Sequence, residues 1–145
     1  MNYFIKEVDW PSYQAQISAV RQQVFIVEQQ VPAALEWDGL DETAQHLLAL
    51  TEDGKAIGCA RVLSDASIGR MAVLADWRSQ GVGQALLKSA IQLCRENGWL
   101  DIQLSAQTHA IAFYERAGFK VSSDEYMDAG IPHKAMKLRL DSRTS

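Results

Sequence analysis

Arg78-Ser79-Gln80-Gly81-Val82-Gly83 is the segment whose residue types and spacing most directly allow chemistry. It follows an apolar run, Ile68 to Leu74, and opens a long amphipathic run, Gln80 to Asn97. Glycines at a helix start let a bulky oxyanion approach the backbone closely. The first helical N–H groups have no intrahelical partner, and with the helix dipole they form a site for a pyrophosphate. Arg78 adds a charge-assisted contact. Two other phosphate-binding patterns are absent. Gly81-x-Gly83 runs on into Ala85 and Leu86 without the third glycine of GxGxxG, and no GK[ST] closes the loop. A plain structural turn is the remaining alternative.

The elements that must position this loop follow from periodicity. Tyr3 to Val8 reads as a strand. Asp9 is suited to cap a helix that tolerates Pro11 in its first turn and carries Ile17, Val20, Val24 and Val27 at helical spacing. Val31 to Glu42 reads as a loop or short helix. His46 to Thr51 and Ile57 to Leu63 read as strands around the turn signal Glu52-Asp53-Gly54, and Ile68 to Leu74 as another. In the helix predicted over Gln80–Asn97, Val82, Leu86, Ala90 and Leu93 share a face opposite Lys88, Gln92, Arg95 and Glu96, and Gly98 supplies a left-handed cap. Leu100 to Leu104 alternates like a strand. Thr108 to Ala117 reads as a short helix with Phe113 on its core face, and Phe119 to Ser122 and Lys134 to Leu140 as the last strands. The order β-α-(α)-β-β-β-α-β-α-β-β is an α/β layer on one mixed sheet, here taken as one domain over residues 1–145.

Arg78-x-x-Gly81-x-Gly83 resembles the coenzyme A loop, (Q/R)xxGxG/A, of the GNAT acetyltransferases, and Ala112-Phe113-Tyr114-Glu115-Arg116-Ala117-Gly118-Phe119 resembles that family's AxxxYxxxGF segment. Within the family the chain is similar to the ElaA-like group, through Arg21-x-x-Val24-Phe25-x-Val27-Glu28-Gln29-x-Val31-Pro32, Asp38-x-x-Asp41 and Gly130-Ile131-Pro132-His133. The resemblance implies an acyl-CoA acyltransferase fold in which two parallel central strands splay apart. The pantetheine arm would lie between them, paired to the backbone of Met71, Ala72 and Val73. Arg78, Ser79, Gln80, Gly81, Val82, Gly83 and Gln84 would hold the phosphates. Gln107 stands where many relatives carry Asn, and the longer amide can serve the same contact.

The implied reaction is attack of a primary amine on the thioester carbonyl of acetyl-CoA, with no metal. Tyr114 matches the acid position, and a phenol of pKa ~10 is mildly mismatched to a thiol of ~8.5. The alternative is a packed tyrosine. The Val73 N–H would polarise the carbonyl. An amine of pKa ~10.4 must lose a proton first. Glu28, at the end of the first helix, is one candidate base, against the alternative of a solvated carboxylate. His133, expected in a turn beside the acceptor, is another. His46 and His109 are read as structural. Glu36, Asp38, Asp41 and Glu42 form an acidic stretch that is either a solvated loop or a rim drawing in a cationic amine.

Composition narrows the rest. A formal net charge of −4 argues against nucleic acid as a partner. No apolar run approaches the ~20 residues needed to span a bilayer, and Lys6 and Glu7 interrupt any signal-peptide core, so a cytoplasmic location is expected with no membrane partner. Cys59 and Cys94 read as buried free thiols, and the polar tail after Leu140 as frayed. The acceptor would be a small-molecule or peptide amine, with a homodimer left open. Two alternatives stand beside the acetyltransferase: a non-catalytic acyl-CoA-binding or regulatory module, and an enzyme like the acyl-homoserine-lactone synthases.

Overall fold

The computed structural model describes residues 2–140, so the tail beyond Leu140 lies outside the described residues. Eight strands form one mixed sheet: β1 (Tyr3–Val8), β2 (Gln45–Thr51), β3 (Ala56–Leu63), β4 (Ser67–Val73), β5 (Asp101–Gln107), β6 (Lys120–Val121), β7 (Tyr126–Asp128) and β8 (Ile131–Arg139). Their order is β1-β2-β3-β4-β5-β8-β6, with β7 also paired to β8. Among the described residues the α-helices are α1 (Trp10–Arg21), α2 (Ala33–Glu36), α3 (Val82–Glu96) and α4 (Ile111–Arg116). Among the described residues no helix is long and apolar enough to cross a membrane.

The one parallel pairing among the described residues, β4 with β5, needs a crossover, and α3 supplies it. The apolar face of α3, with Val82, Leu86, Ala90, Leu93 and Cys94, packs on Ala49, Ile57, Ala60, Val62 and Ile102. On the other sheet face α1 places Ile17 and Val20 against Leu48, Leu50, Cys59 and Ala72. Gly58 lets α3 come close: a Cβ there would lie 3.0 Å from Leu86 Cδ1 and 3.1 Å from the Ala72 carbonyl oxygen.

Two irregularities in β4 shape the molecule. Its pairing with β5 is confined to Ser67↔Gln103 and Ile68↔Leu104, so beyond these residues the two strands separate. Against β3 the register shifts from Arg61↔Gly69 to Cys59↔Ala72, which inserts one extra residue in β4. That insertion changes the alternation of faces: Ile68 is buried on the α3 side and Ala72 on the α1 side. Arg70 sits in the bulge at φ +42°, and its carbonyl accepts from the Cys59 thiol at 3.3 Å.

Several local expectations are corrected. Val27 is 56% exposed, because the chain widens after α1 into a turn over Gln22–Glu28 with Gln29 N–H bonded to Val24 O. The wider turn breaks the helical phase that joined Val27 to Val24. The long helix begins at Val82, since Ser79 (φ +63°) and Gly81 (φ +83°) are left-handed. The Asp9 side chain caps no backbone N–H and accepts the Ser12 hydroxyl at 2.9 Å. The last expected strand starts earlier, at Ile131, and pairs with the unforeseen β7 through a turn at Ala129 (φ +52°) and Gly130 (φ +77°). Two positive-φ residues between paired strands make a tight hairpin. His133 therefore belongs to a strand and not to a turn.

Candidate active site

The separation of β4 from β5 opens a cleft of about 880 Å³. One wall is the unpaired edge of β4. Leu74 N–H points to β3, donating to Ile57 O at 2.9 Å. Successive strand amides alternate in direction, so the Val73 N–H and C=O face the cleft. The carbonyl accepts Arg78 Nε at 3.0 Å, and Val73 N–H stands opposite no strand. Beside this edge α3 begins. Its first intrahelical bond is Ala85 N–H to Gly81 O at 3.0 Å, leaving the N–H groups of Val82, Gly83 and Gln84 without intrahelical or side-chain partners. A Cβ on Gly83 would lie 3.6 Å from Phe113 Cζ and 3.8 Å from Val73 Cγ2, so the absent side chain keeps open the gap between them. An extended edge beside free helical N–H groups fits a ligand with a peptide-like arm and a phosphate end.

The residues named for the donor divide into groups. Met71, Ala72, Val73, Arg78, Gly83, Gln107 and Tyr114 all line the cleft. Val82 is buried in the core, Gln84 is exposed, and Gln80 donates to Asp76 O at 3.1 Å while its own carbonyl accepts Tyr3 OH. Ser79 and Gly81 shape the turn. Phe113 packs on the core as expected and also walls the cleft.

Two contacts span the cleft from the end of the wide turn. Arg78 holds Glu28 in a bidentate pair at 2.7 and 2.9 Å. Gln29 and Gln107 exchange amide hydrogen bonds at 2.9 and 3.3 Å. Both Glu28 oxygens are thus engaged by a guanidinium.

His133 is placed differently. Its Nδ1 lies 2.7 Å from Ile131 O, and a carbonyl only accepts, so Nδ1 carries the proton of the neutral ring. Nε2 then holds a lone pair, and among the described residues it has no hydrogen-bond partner. The residue is 8% exposed and lines the cleft, and its ring stacks on Tyr126 at 6.1 Å. Tyr126 OH and Ser105 Oγ share a hydrogen bond. Strand register brings these three together: Gln107 and Tyr126 both face His133, and Ser105 lies two residues along β5. Tyr126 and Ser105 were not singled out in the sequence, because their partners are fixed only by that register.

Tyr114 also reaches the cleft, wedged edge-on against Phe113 and Phe119 at 5.1 and 6.1 Å. Burial pushes its hydroxyl up to about 12, so it stays protonated across the biological range. Its hydroxyl has no hydrogen-bond partner among the described residues. The two cysteines are buried, and burial pushes Cys59 up to about 12 and Cys94 up to about 11, which leaves both as inert thiols.

The acidic stretch, read as either a solvated loop or a charged rim, is neither: Glu36 lines the cleft, but its charge and those of Asp38 and Asp41 are paired. Arg21 binds Glu36 at 2.8 Å and Asp41 at 2.6 Å. Arg61 binds Asp38 at 2.7 Å and Asp41 at 3.1 Å, and Arg70 reaches Glu36 at 3.1 Å and Asp38 at 3.2 Å. Three carboxylates meet three guanidiniums, so the cluster carries no net charge to draw in a cation. The Arg61 guanidinium holds Asp38 well below the usual carboxylate range. Only Glu42 of the stretch is free on the surface.

Comparison with known proteins agrees with this geometry. The model of the acetyltransferase (GNAT) domain family matches residues 11–140. A Bacillus subtilis (strain 168) protein called an uncharacterized N-acetyltransferase, YjcF, is 37% identical over 121 residues, covering 81% of this chain and 86% of its own. Among solved structures, an acyl-CoA N-acyltransferase from Pseudomonas aeruginosa is 31% identical, with a TM-score of 0.80 over 95% of this chain and 99% of that one. Escherichia coli ElaA is 28% identical, with a TM-score of 0.84 over 95% of this chain and 100% of that one.

Proposed function

We propose, because this chain belongs to the GNAT acetyltransferase family, that it moves an acetyl group from acetyl-CoA to a primary amine by direct attack. The observation that carries this reading is the parting of β4 from β5 after Ile68 and Leu104, which leaves Val73 N–H facing a cleft beside the start of α3. Acetyl-CoA would supply the electrophilic thioester carbonyl.

The chain's own groups then divide the work. The N–H groups of Val82, Gly83 and Gln84, with Arg78, hold phosphate. Val73 N–H donates to the carbonyl oxygen as negative charge develops there, a contact of the kind worth ~10²–10³ in rate. His133 Nε2 takes the proton of the incoming ammonium, directly or through one water, and frees the lone pair that forms the C–N bond. Tyr114 donates a hydrogen bond to the sulfur as the C–S bond breaks, and the second proton of the attacking nitrogen passes through water to solvent or to the departing thiolate. Its high pKa makes it a donor that stabilises the departing thiolate more than an acid that fully protonates it. Glu28, bound through both oxygens, serves to hold Arg78 at the mouth of the cleft.

The experiment is thiol release from acetyl-CoA against a panel of primary amines, paired with calorimetry of coenzyme A binding. Binding with amine-dependent release is expected. Binding without release from any amine would overturn the transferase reading and leave a coenzyme A-binding module.

A further inference from the structure

A second groove, of about 690 Å³, adjoins the cleft on the same sheet and shares Gln103 with it. Along β5, β8 and β6 one face is buried and the other bare. Ile102, Leu104 and Met136 lie in the core, while Asp101, Gln103, Ser105, Lys120, Lys137 and Arg139 are exposed. Register places these exposed residues together: Asp101 faces Arg139, Gln103 faces Lys137, and Lys137 also faces Lys120. Gln107 and His133 stand further along the same face. An open polar sheet face therefore runs from the His133 end of the cleft to the lysines.

Its charge is polarised. Arg139 is paired with Asp101 at 2.6 Å. Lys120 and Lys137 have no ion-pair partner among the described residues, although they are directly opposite across an antiparallel pair. Like charges so placed repel, and an anion between them would offset the cost. At the other end Asp128 lines the cleft with Tyr126 and His133 and has no ion-pair partner among the described residues. The Glu36–Asp38–Asp41 cluster adds nothing to this field, being neutralised by its arginines.

We infer that the acceptor is an extended peptide amine carrying an acidic side chain, bound along β8 with its amine at His133 and Asp128 and its carboxylate between Lys120 and Lys137. Four residues of strand separate His133 from Lys137, roughly 14 Å at ~3.4 Å per residue. An extended peptide spans that distance in about four residues, so an acid at the fourth position of a peptide with a free N-terminus meets the lysines. This inference rests on the amine-transfer reading of the cleft, and its test separates the two.

Three C-terminally amidated pentapeptides serve as probes: Ala-Ala-Ala-Glu-Ala and its Gln and Lys counterparts at the fourth position. With saturating acetyl-CoA, kcat/KM for thiol release is expected to follow Glu over Gln over Lys, each step about two- to fivefold, as exposed charge contacts give. The spread should shrink at high salt. The double variant Lys120→Glu, Lys137→Glu should invert the order. Equal rates for the three peptides, or an order unmoved by the double variant, would overturn the groove while leaving amine transfer intact. Titration of the same peptides into protein saturated with coenzyme A reads the groove without turnover. There the Glu peptide should bind tightest, and equal affinities would overturn the groove even if no peptide were acetylated.

Discussion

Glu28 was the first candidate for the base and His133 the second when only their types and positions were known, and their hydrogen bonds now distinguish them. The imidazole has one nitrogen committed to Ile131 O and the other free at the cleft. The carboxylate has both oxygens on Arg78. His133→Gln should therefore lower kcat about 10²-fold or more. Glu28→Gln should change it by less than about tenfold, since it removes one half-exposed ion pair. The opposite order would return the base role to Glu28. Tyr114→Phe should slow single-turnover transfer roughly 10- to 10²-fold, the size expected for one hydrogen bond to a developing anion. A rate equal to wild type would make Tyr114 a packing residue and favour the non-catalytic module. None of these distinctions was legible in the sequence. A motif named Tyr114, but which lone pairs remain free depends on partners such as Arg78, fifty positions from Glu28.

At the scale of elements, legibility followed locality. The glycine loop and α3 were readable because the cap signals and the 3.6-residue period lie within one stretch of chain. The β7–β8 hairpin was not, since Gly130-Ile131-Pro132-His133 resembles a turn until Ala129 and Gly130 are seen to form one on their own. The β4 bulge and the wide turn at Gln22–Glu28 each insert a residue that leaves apolar content unchanged while shifting what faces inward. Two glycines test the packing around α3 in opposite ways. Gly58→Ala would put a Cβ within 3.2 Å of Leu86, the Ala72 carbonyl and Val82. Such overpacking should cost about 1–3 kcal/mol, read as a lower urea midpoint with unchanged slope. Gly83 has ordinary clearance, so Gly83→Leu should keep the fold and fill the gap between Phe113 and Val73. Coenzyme A affinity measured by calorimetry should then fall tenfold or more. Normal binding by this variant would mean the ligand does not pass that gap.

Across the whole molecule, one buried cluster ties α1, the segment over 33–43, β3 and β4 together through Arg21, Arg61 and Arg70. The sequence displayed its carboxylates as a run of acids, and only the fold supplied the arginines. His46 belongs to the same knot: it is 1% exposed, stacks on Trp10 at 5.2 Å, and its Nε2 donates to Asp41 O at 2.8 Å. Burial lowers its pKa below 6.5, with the Asp41 contacts opposing and the Arg21 and Arg61 charges adding to the shift. The folded chain then binds fewer protons than the unfolded chain between the two pKa values, so stability rises with pH through that window. The contribution is fully present above 6.5 and is lost as pH falls through the folded value. Asp38 is also lowered and carries the same sign, but its loss begins only below the ordinary carboxylate range near 3.8. Glu36, raised by burial, carries the opposite sign, so the His46 contribution is read from the difference between wild type and variant. Urea midpoints are measured at pH 7.5 and pH 5.0, and His46 acts to lower the midpoint at pH 5.0 in the wild type. In His46→Gln, which keeps an amide donor without a titrating ring, that lowering should shrink whatever the variant's absolute stability. An equal drop in both proteins would place the acid sensitivity elsewhere and show that His46 accepts a proton in the folded state at no cost to the knot.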